Sequence, residues 1–361
     1  VSAKTKLKIR LPESAHTLLA AQIVKTAAKD FRLSTLASTQ GRNIWTVGYD
    51  PNCPGSGAAF NRDEIEVTDT NGTTRTVLDL NNFQPSPGTF ASVSMSGGET
   101  NIDELLFNCA GEVSTGDSDR IIHFVKGHDV FGEDPENLRQ SPLGDTFHSD
   151  LVYVGAPSAA TSASGIYTEA YFRGRNGYAA FKDTHKNREG RLYVGANDGM
   201  LHAFDKDLNH LWGFIPPSVL PKLRRMEGLA GQSVTQWLVD GPIVVKDVFI
   251  KATSEWKTLL IGGMGWGGKG YYVLDVTDAY NPKHLFTFDN DYKNKQVSYW
   301  SESGYKQTYD YADAPDNMNY TKIGDTWARP SIMLMAIKDA SDSTFTQRYT
   351  MVFGAGYAGG T

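Results

Sequence analysis

Apolar residues along this chain come in short runs that end in glycine, a pattern typical of β-strands joined by tight turns. Four such runs read LVYVGAP from residue 151, RLYVGAND from 191, TLLIGGMG from 258 and YTMVFGAG from 349. The second and third are followed by another strand-like run that ends in aspartate, and then by a further apolar run, HLWGFIP or HLFTFDN. The pattern therefore predicts a repeated unit of strand, glycine turn, strand, turn and strand.

A repeated unit of this order is the sequence signature of a β-propeller blade. The four glycines are unevenly spaced, which long insertions between strands would explain; they are Gly155, Gly195, Gly262 and Gly354. A β-sandwich with similar hairpins is the alternative, but it would lack the repeated order of elements. Within a propeller, we expect Trp212 and Phe288 to be large apolar anchors between blades.

The third run belongs to a glycine-rich stretch, LLIGGMGWGGKGYYVLDV at residues 259–276, that fits two phosphate-binding patterns. Both G-x-G-x-x-G and G-x-x-x-x-G-K-[ST] need a helix after the glycines, because the N–H groups at its N-terminus hold the phosphate. Here an aromatic and β-branched run follows, and Gly270 stands where the second pattern needs a hydroxyl. The sequence therefore predicts a hairpin with a glycine turn and no nucleotide site.

The first third of the chain has a different pattern. Residues 14–30 are the one clear helix candidate, with Ser14 as its cap, and the chain from about 38 to 116 is polar and broken by glycine and proline. We predict a variable, loop-rich α+β region over residues 1–120 and a propeller domain over 121–361. Inside the propeller domain, the polar stretch 156–175 is expected to be an exposed loop.

Composition supports short strands and argues against a nucleic-acid partner and against a membrane-spanning helix. The chain of 361 residues has 36 Gly, 17 Tyr, 17 Phe and 7 Trp, with 21% charged residues, whereas helices would need more Ala, Leu, Glu and Lys. The net charge of −6 and the absence of a basic stripe argue against nucleic acid. No apolar stretch approaches the roughly 18–20 residues of a membrane span. Because the sequence opens on Val1, we expect a piece of a longer protein.

The segment RLYVGANDGMLHAFD, followed by LWGFIP and preceded by SPLGDTFHSDLVYVGAP, resembles the C-terminal domain of the PilC/PilY family, the tip-associated adhesins of bacterial type IV pili. LLIGGMGWGGKGYYVLDVTDAYNP, ARPSIMLMAIKD and MVFGAGYAGG continue the resemblance in the same order, so that it covers about residues 120–361. The resemblance implies a mainly β fold, a modified seven-bladed propeller related to quinoprotein repeats. Four recognisable blade strands cannot close seven blades, so we expect a propeller that is incomplete within this chain.

The resemblance also implies a function and a location. It implies a protein that is exported through the periplasm to the pilus tip or the outer-membrane surface. There it would support pilus extension against retraction, twitching motility, surface or host-cell adhesion, and virulence. The implied partners are pilin, minor pilins, and a host-cell or abiotic surface.

The two cysteines, Cys53 and Cys109, match no zinc pattern. In an exported protein they would most simply pair with each other. Such a bridge would close a loop of about 56 residues and would stabilise the fold by roughly 4 kcal/mol in the chain-entropy model. Two buried free thiols are the alternative. The oxidising compartment that the resemblance implies leads us to predict the disulfide.

A calcium site is a further implication of the resemblance, because the family carries a D-x-D-x-D-x-x-x-D loop in the propeller. That loop is not found in this chain. Its nearest approximation is Asp289, Asp291 and Asn294 in FDNDYKNKQ, which lacks the glycine and the closing acid of an EF-hand loop. A solvated acidic turn is the alternative, as it is for DKDLN at residues 205–209.

The rival function is that of an enzyme, since quinoprotein dehydrogenases share this kind of blade and bind pyrroloquinoline quinone with calcium. Many of them place a vicinal disulfide against the quinone, whereas Cys53 and Cys109 are far apart. The histidines of the propeller segment are scattered, and we expect surface or turn positions for them: His148, His202, His210 and His284. We therefore predict a protein that acts by binding and has no catalytic residues. A purely structural pilus assembly factor is a third alternative.

Overall fold

The computed structural model describes ten stretches of the chain: residues 32–33, 44–47, 64–68, 74–79, 124–128, 142–163, 165–227, 236–302, 304–338 and 344–357. The predicted helix at 14–30, both cysteines and most of the predicted loop-rich region lie outside these residues. Among the described residues, no helix is long and apolar enough to cross a membrane.

Sixteen strands form three sheets in the described residues. The first sheet has the order β3-β4-β2-β8-β7-β6-β5, with β1 also paired to β8. Its strands are β1 Arg32–Leu33, β2 Ile44–Thr46, β3 Glu64–Thr68, β4 Thr74–Asp79, β5 Val152–Val154, β6 Arg191–Gly195, β7 Leu201–Phe204 and β8 Asn209–Ile215. The second sheet, of order β14-β13-β12-β11-β10-β9, contains β9 Ile243–Ile250, β10 Glu255–Gly263, β11 Gly270–Asp275, β12 Lys283–Asp291, β13 Gln296–Trp300 and β14 Lys306–Asp310. The third sheet pairs β15 Ser331–Lys338 with β16 Phe345–Val352.

The repeated unit predicted from the sequence is present and has one strand more than predicted. Strands β5 to β8 pair antiparallel with their neighbours in chain order, and β9 to β12 do the same. The predicted unit corresponds to the last three strands of each set, β6–β8 and β10–β12. The run LVYVGAP differs from the other three, because it forms the first strand of its unit and the others form second strands. The hairpin β15–β16 is in the position of the first two strands of a third unit.

The three sheets stack face to face in chain order. Strand β11 is buried along its whole length. Its side chains alternate between two cores: Tyr272 and Leu274 pack with the first sheet, and Tyr271 and Val273 pack with the hairpin β15–β16. Burial of both faces of β11 in the middle sheet distinguishes this arrangement from a two-layer sandwich and agrees with the stacked sheets of a propeller. The described sheets do not close into a ring, in agreement with an incomplete propeller.

The two predicted anchors occupy the two cores. Trp212 is 5% exposed and lies between the first and second sheets. Phe288 is 4% exposed and lies between the second sheet and the hairpin. Strands from the predicted region 1–120 also contribute to the first core, since β2 runs parallel to β8 and buries Ile44 and Trp45. The domain boundary near residue 120 stays a prediction.

The prediction of an exposed loop over 156–175 was wrong for its second half. Residues Glu169–Arg175 form helix α1, and Tyr178–Thr184 form helix α2; the third helix, α3, is Leu220–Glu227. Thr168 caps α1 by accepting the backbone N–H of Tyr171 at 3.2 Å. The two glycines at 174 and 177 obscure this helical pair in the sequence, because glycine disfavours helix interiors.

Helices α1 and α2 are fixed to the second sheet. Phe172, Tyr178 and Phe181 pack with Trp256 of β10, whose indole N–H donates to the carbonyl of Asn176 at 2.6 Å. The Tyr178 hydroxyl donates to the carboxylate of Asp247 on β9. Burial, and after it this hydrogen bond, raises the pKa of Tyr178 well above its ordinary value. The phenol therefore keeps its proton and remains a donor to Asp247.

We expect the substitution Trp212→Ala to lower the free energy of unfolding by about 3–5 kcal/mol, because it leaves a cavity between two sheets. Urea denaturation followed by circular dichroism would measure this change. The matched control is Tyr167→Ala, since Tyr167 is 88% exposed and should change the stability by no more than about 0.5 kcal/mol. Equal stability losses in the two variants would show that Trp212 does not join the sheets.

Candidate functional site

The loops that lead into the first strand of each unit meet at one place. Strand β9 contacts both β5 and β16, which brings the edges of the three sheets together. The loop 142–150 precedes β5, 236–240 precedes β9, and 325–330 precedes β15. The glycine-rich loop 264–269 between β10 and β11 joins them through a bridge between Gly265 and Thr326.

A buried carboxylate holds the first loop in place. Asp240, which is 1% exposed, accepts three consecutive backbone N–H groups on Oδ1, at 2.9 Å from Phe147, 2.8 Å from His148 and 3.0 Å from Ser149. Its Oδ2 accepts the Nδ1–H of His148 at 3.0 Å. These four hydrogen bonds offset the cost of burying the Asp240 carboxylate. They also fix the backbone of residues 147–149 and the His148 imidazole.

The first unit holds the same loop from the other side. The Asp198 carboxylate accepts the N–H of Gly144 at 2.9 Å, and the Asn197 N–H donates to the carbonyl of Asp145 at 2.8 Å. Further along, the Ser149 hydroxyl accepts the N–H of Gly195 at 2.8 Å. The loop 142–150 is therefore pinned to two successive units and presents its side chains in a fixed arrangement.

Five aromatic side chains converge on these loops, and we call them the aromatic cluster: Phe147, His148, Trp237, Trp266 and Trp327. Trp266 packs edge to face on Trp237 and on Trp327, each at 5.2 Å between ring centroids, with interplanar angles of 79° and 82°. The ring centroid of His148 lies 4.7 Å from that of Trp327 and 4.4 Å from that of Phe147, and both pairs are edge to face. Edge-to-face geometry is the favoured packing of aromatic rings, so the rings support one another without a ligand.

Two members of the aromatic cluster face solvent. Phe147 is 68% exposed and Trp266 is 55% exposed. Side chains this large and apolar are normally buried, and their exposure on fixed loops is typical of an interaction site. The cluster is thus a preformed, partly apolar surface.

The glycine-rich loop carries the exposed Trp266 between two glycines, and its backbone geometry explains why those glycines are needed. Gly265 has φ +57°, and a Cβ at Gly267 would lie 1.8 Å from the carbonyl oxygen of Leu238. Only glycine therefore fits on both sides of Trp266. The loop joins two antiparallel strands, so it does not lead into a helix as both phosphate-binding patterns require. Lys269 forms an ion pair with Asp325 instead of binding phosphate, which agrees with the prediction of a hairpin.

The charges around the aromatic cluster are paired. The Asp240 carboxylate is engaged as described, Lys269 is paired with Asp325, and Arg329 lies 3.0 Å from Asp150. Lys222 donates to the carbonyl of Gly267 at 2.8 Å. Within the described loops, the surface thus offers no unpaired cation for an anionic ligand.

Three of the four histidines of the propeller segment are not where the sequence led us to expect them. His202, His210 and His284 are 0%, 3% and 1% exposed, so the expectation of surface or turn positions was wrong for them. His202 Nε2 lies 2.9 Å from Asp198, and its Nδ1 lies 3.0 Å from Nε2 of His210. His284 Nε2 lies 2.9 Å from the Thr287 hydroxyl. Hydrogen bonds to a neighbouring strand, to the preceding turn and within the same strand offset the cost of burying these imidazoles.

The calcium candidates lie at the end of β12 and in the turn that follows. Asp289 accepts the N–H of Lys269 at 3.2 Å. Asp291 accepts the N–H groups of Lys293 and Asn294, each at 3.1 Å, and the side-chain amide of Asn294 at 2.7 Å. These bonds fit the alternative of an acidic turn. Among the described residues, no group of three or more His, Cys, Asp or Glu is placed to hold a metal ion.

Sequence reasoning named His148 but missed the aromatic cluster. Its members are far apart in the chain, yet three of them lie a few residues before the first strand of a unit. His148 and Trp327 each stand four residues before the first strand of a unit, and Trp237 stands six residues before one. Counting from the first strand of each unit would have brought them together, but the first strands were not recognised as such.

Comparisons with known proteins identify relatives of the propeller segment. A family model described as the PilY1 beta-propeller domain matches residues 143–325. The Type IV pilus biogenesis factor PilY1 homolog of Xylella fastidiosa is 39% identical over 150 residues, which are 41% of this chain and 12% of that protein. The Type IV pilus biogenesis factor PilY1 of Pseudomonas aeruginosa strain PAK is 39% identical over 173 residues, 47% of this chain and 14% of that protein.

A solved structure is also similar. The crystal structure of the Pseudomonas aeruginosa PilY1 C-terminal domain is 30% identical, with a TM-score of 0.37, over 57% of this chain and 31% of that one. The segments matched by this chain span about an eighth of the length of the Xylella fastidiosa and Pseudomonas aeruginosa pilus biogenesis factors.

We expect Asp240→Ala to release the loop 142–150. Three backbone N–H groups and the His148 imidazole lose their acceptor, so the free energy of unfolding should fall by about 2–4 kcal/mol. Hydrogen–deuterium exchange of the amides of residues 147–149 should become at least about tenfold faster. In the control Asp207→Ala, which removes an exposed carboxylate, exchange at these amides should not change. Unchanged exchange in Asp240→Ala would contradict the role assigned to this carboxylate.

Proposed function

The chain belongs to the PilY1 beta-propeller domain family, and from this premise we propose that it works at a type IV pilus by binding and performs no catalytic turnover. The family match over residues 143–325 is the observation that carries this proposal. Its relatives are named type IV pilus biogenesis factors. The matched segment also contains four of the five members of the aromatic cluster, all except Trp327.

Binding, in this proposal, takes place on surfaces that the fold holds rigid. The aromatic cluster supplies two exposed rings on loops pinned by Asp240 and Asp198. A second exposed apolar point is the pair Ile166 and Tyr167, which are 56% and 88% exposed just before α1. Both surfaces belong to segments between the strands of a propeller, where recognition residues are commonly placed on a rigid scaffold.

The finer functions are part of the same proposal. The protein is exported through the periplasm to the pilus tip or outer-membrane surface, contacts pilin and minor pilins, and supports extension against retraction, twitching motility and adhesion. Calcium regulation is proposed for the same protein, with Asp289, Asp291 and Asn294 as its candidates in this chain. A role restricted to pilus assembly is the competing version, and it predicts that adhesion and piliation are always lost together.

The quinoprotein alternative draws no support from the family match or from the names of the relatives. His148 and Asp240 form a hydrogen-bonded pair of the kind that catalytic sites use. Here, however, Asp240 is already bonded to three backbone N–H groups of the loop that carries His148. The pair therefore has a sufficient structural reason in the fixation of that loop.

We expect deletion of the gene in the parent bacterium to reduce surface pili and twitching, and complementation with the unaltered gene to restore both. A complementing double variant, Phe147→Ala with Trp266→Ala, should restore pili but not adhesion, because it removes exposed rings without touching the core. The matched control, Lys306→Ala on β14, should restore both. Loss of pili together with adhesion in the double variant would favour the assembly role, and normal piliation after deletion would overturn the proposal.

We further expect the purified protein to show no quinone absorbance and no dye-linked alcohol oxidation after incubation with pyrroloquinoline quinone and Ca²⁺. Absorption spectroscopy and a dye-reduction assay measure the two properties directly. A quinoprotein alcohol dehydrogenase treated in the same way is the positive control. Quinone-dependent turnover by this protein would replace the binding proposal with the enzyme alternative.

A further inference from the structure

We propose that the aromatic cluster binds a neutral sugar ring, an inference that rests on the proposed function and names the ligand class of its surface. Trp266 and Phe147 would supply the stacking surface. The area they expose is the first argument. Aromatic side chains bury roughly 150–250 Å² each, so a ring 55% exposed and another 68% exposed offer together roughly 250 Å². A specific protein–protein interface needs roughly 800 Å² per partner, whereas a small ligand fits the available area.

The packing of the rings is the second argument. Proline-rich peptides dock in grooves lined by aromatic side chains, and cationic ligands sit over ring faces, as in aromatic cages. In this cluster the ring of Trp266 contacts Trp237 and Trp327 edge to face, each at 5.2 Å between ring centroids, which fills the space between Trp266 and each neighbour. The surface therefore offers exposed ring area and no slot. A pyranose needs only such area, because its C–H groups, which carry partial positive charge, are attracted to the negative face of an aromatic ring.

The charges near the cluster are the third argument. Arg329 is paired with Asp150 and Lys269 with Asp325, so the described loops themselves provide no unpaired cation to receive an acidic sugar or a phosphate. The one described cation beside them without a carboxylate partner, Lys222, donates to the carbonyl of Gly267. Polar groups that could orient hydroxyls are present. The His148 imidazole is 35% exposed, and Asp240 binds its Nδ1. The ring is thereby held in a fixed orientation, and its Nε2 could form a hydrogen bond with a hydroxyl of the ligand. An apolar surface with a few fixed polar groups is typical of small-ligand sites.

Rigidity is the fourth argument, because stacking on two rings gives little binding energy unless the rings are already placed. The Gly265 and Gly267 backbone and the four hydrogen bonds of Asp240 fix Trp266 and Phe147 before any ligand arrives. Preformed sites avoid the entropy cost of ordering side chains on binding. We expect weak monovalent binding, with a dissociation constant on the order of 1 mM, which many copies on a cell surface would strengthen through multivalency.

The experiment titrates the full chain with a panel of soluble oligosaccharides. The panel contains neutral hexose and N-acetylhexosamine trimers and, for comparison, sialylated and uronic-acid trimers and a proline-rich peptide. Binding is followed by saturation-transfer NMR and by tryptophan fluorescence. We expect saturable binding of at least one neutral trimer, weakened about tenfold or more by Trp266→Ala, and no weakening by the control Phe345→Ala, which removes an exposed ring at the far end of the hairpin β15–β16. Trp266→Phe should retain part of the affinity, and circular dichroism should confirm that all variants are folded.

Each other outcome overturns the inference. No binding of any neutral trimer, binding of acidic sugars or the peptide alone, or binding that Trp266→Ala leaves unchanged would each show that the cluster is not a neutral sugar site. These failures are distinguishable from failure of the proposed function. A chain that binds no sugar but whose gene deletion abolishes pili keeps the pilus role and loses only the ligand assignment.

Discussion

Burial of both faces of the second sheet is the constraint on which the rest of this structure depends. Both faces of strand β11 are buried, so its side chains must fit two cores at once. Tyr272 packs against the first sheet, and Tyr271 packs against the hairpin β15–β16. A sheet enclosed in this way leaves its loops as the places where polar groups can reach solvent. The same enclosure favours a hydrogen-bonding partner for polar side chains that remain inside, which His284 finds in Thr287 and His202 finds in Asp198. The buried hydroxyl of Tyr272 has no such partner among the described residues.

The loops at one end of the sheets carry the candidate surface, whereas strands at the centre of the sheets, such as β6 and β11, are buried along their whole length. Asp240 belongs to the second unit but holds a loop of the first, and Trp266 stands on a turn of the second but packs on Trp327, which leads into the third. The candidate surface is therefore a property of the stacked units together and of none of them alone. This explains why it contains no local sequence motif.

The strands were predictable, because they leave a local signal. Alternation and glycine punctuation identified RLYVGAND and TLLIGGMG as strands, and the order of elements identified the repeat. The family resemblance then supplied the propeller, which the family match confirmed. The first strands of the second and third units were missed, since β9 and β15 lack a closing glycine, and helix α1 was missed because Gly174 interrupts its pattern. The cluster depends on contacts between residues tens of positions apart, such as His148 with Asp240, and no short window of sequence contains both partners. The partners of the buried histidines are three to eight residues away, but their burial depends on the packing of the sheets, which the local sequence does not show.

The hold of Asp240 on the loop 142–150 has a consequence for how the protein acquires its structure. The bond between His148 and Asp240 spans 92 residues, so a chain that is synthesised from its N-terminus presents the loop long before its anchor exists. Contacts of such high sequence separation slow folding, since a large loop must close before they stabilise anything. Repeats in a solenoid can fold one at a time against their neighbours. Here the first unit cannot complete its loop until Asp240 of the second unit is in place, and we therefore expect the two units to fold together.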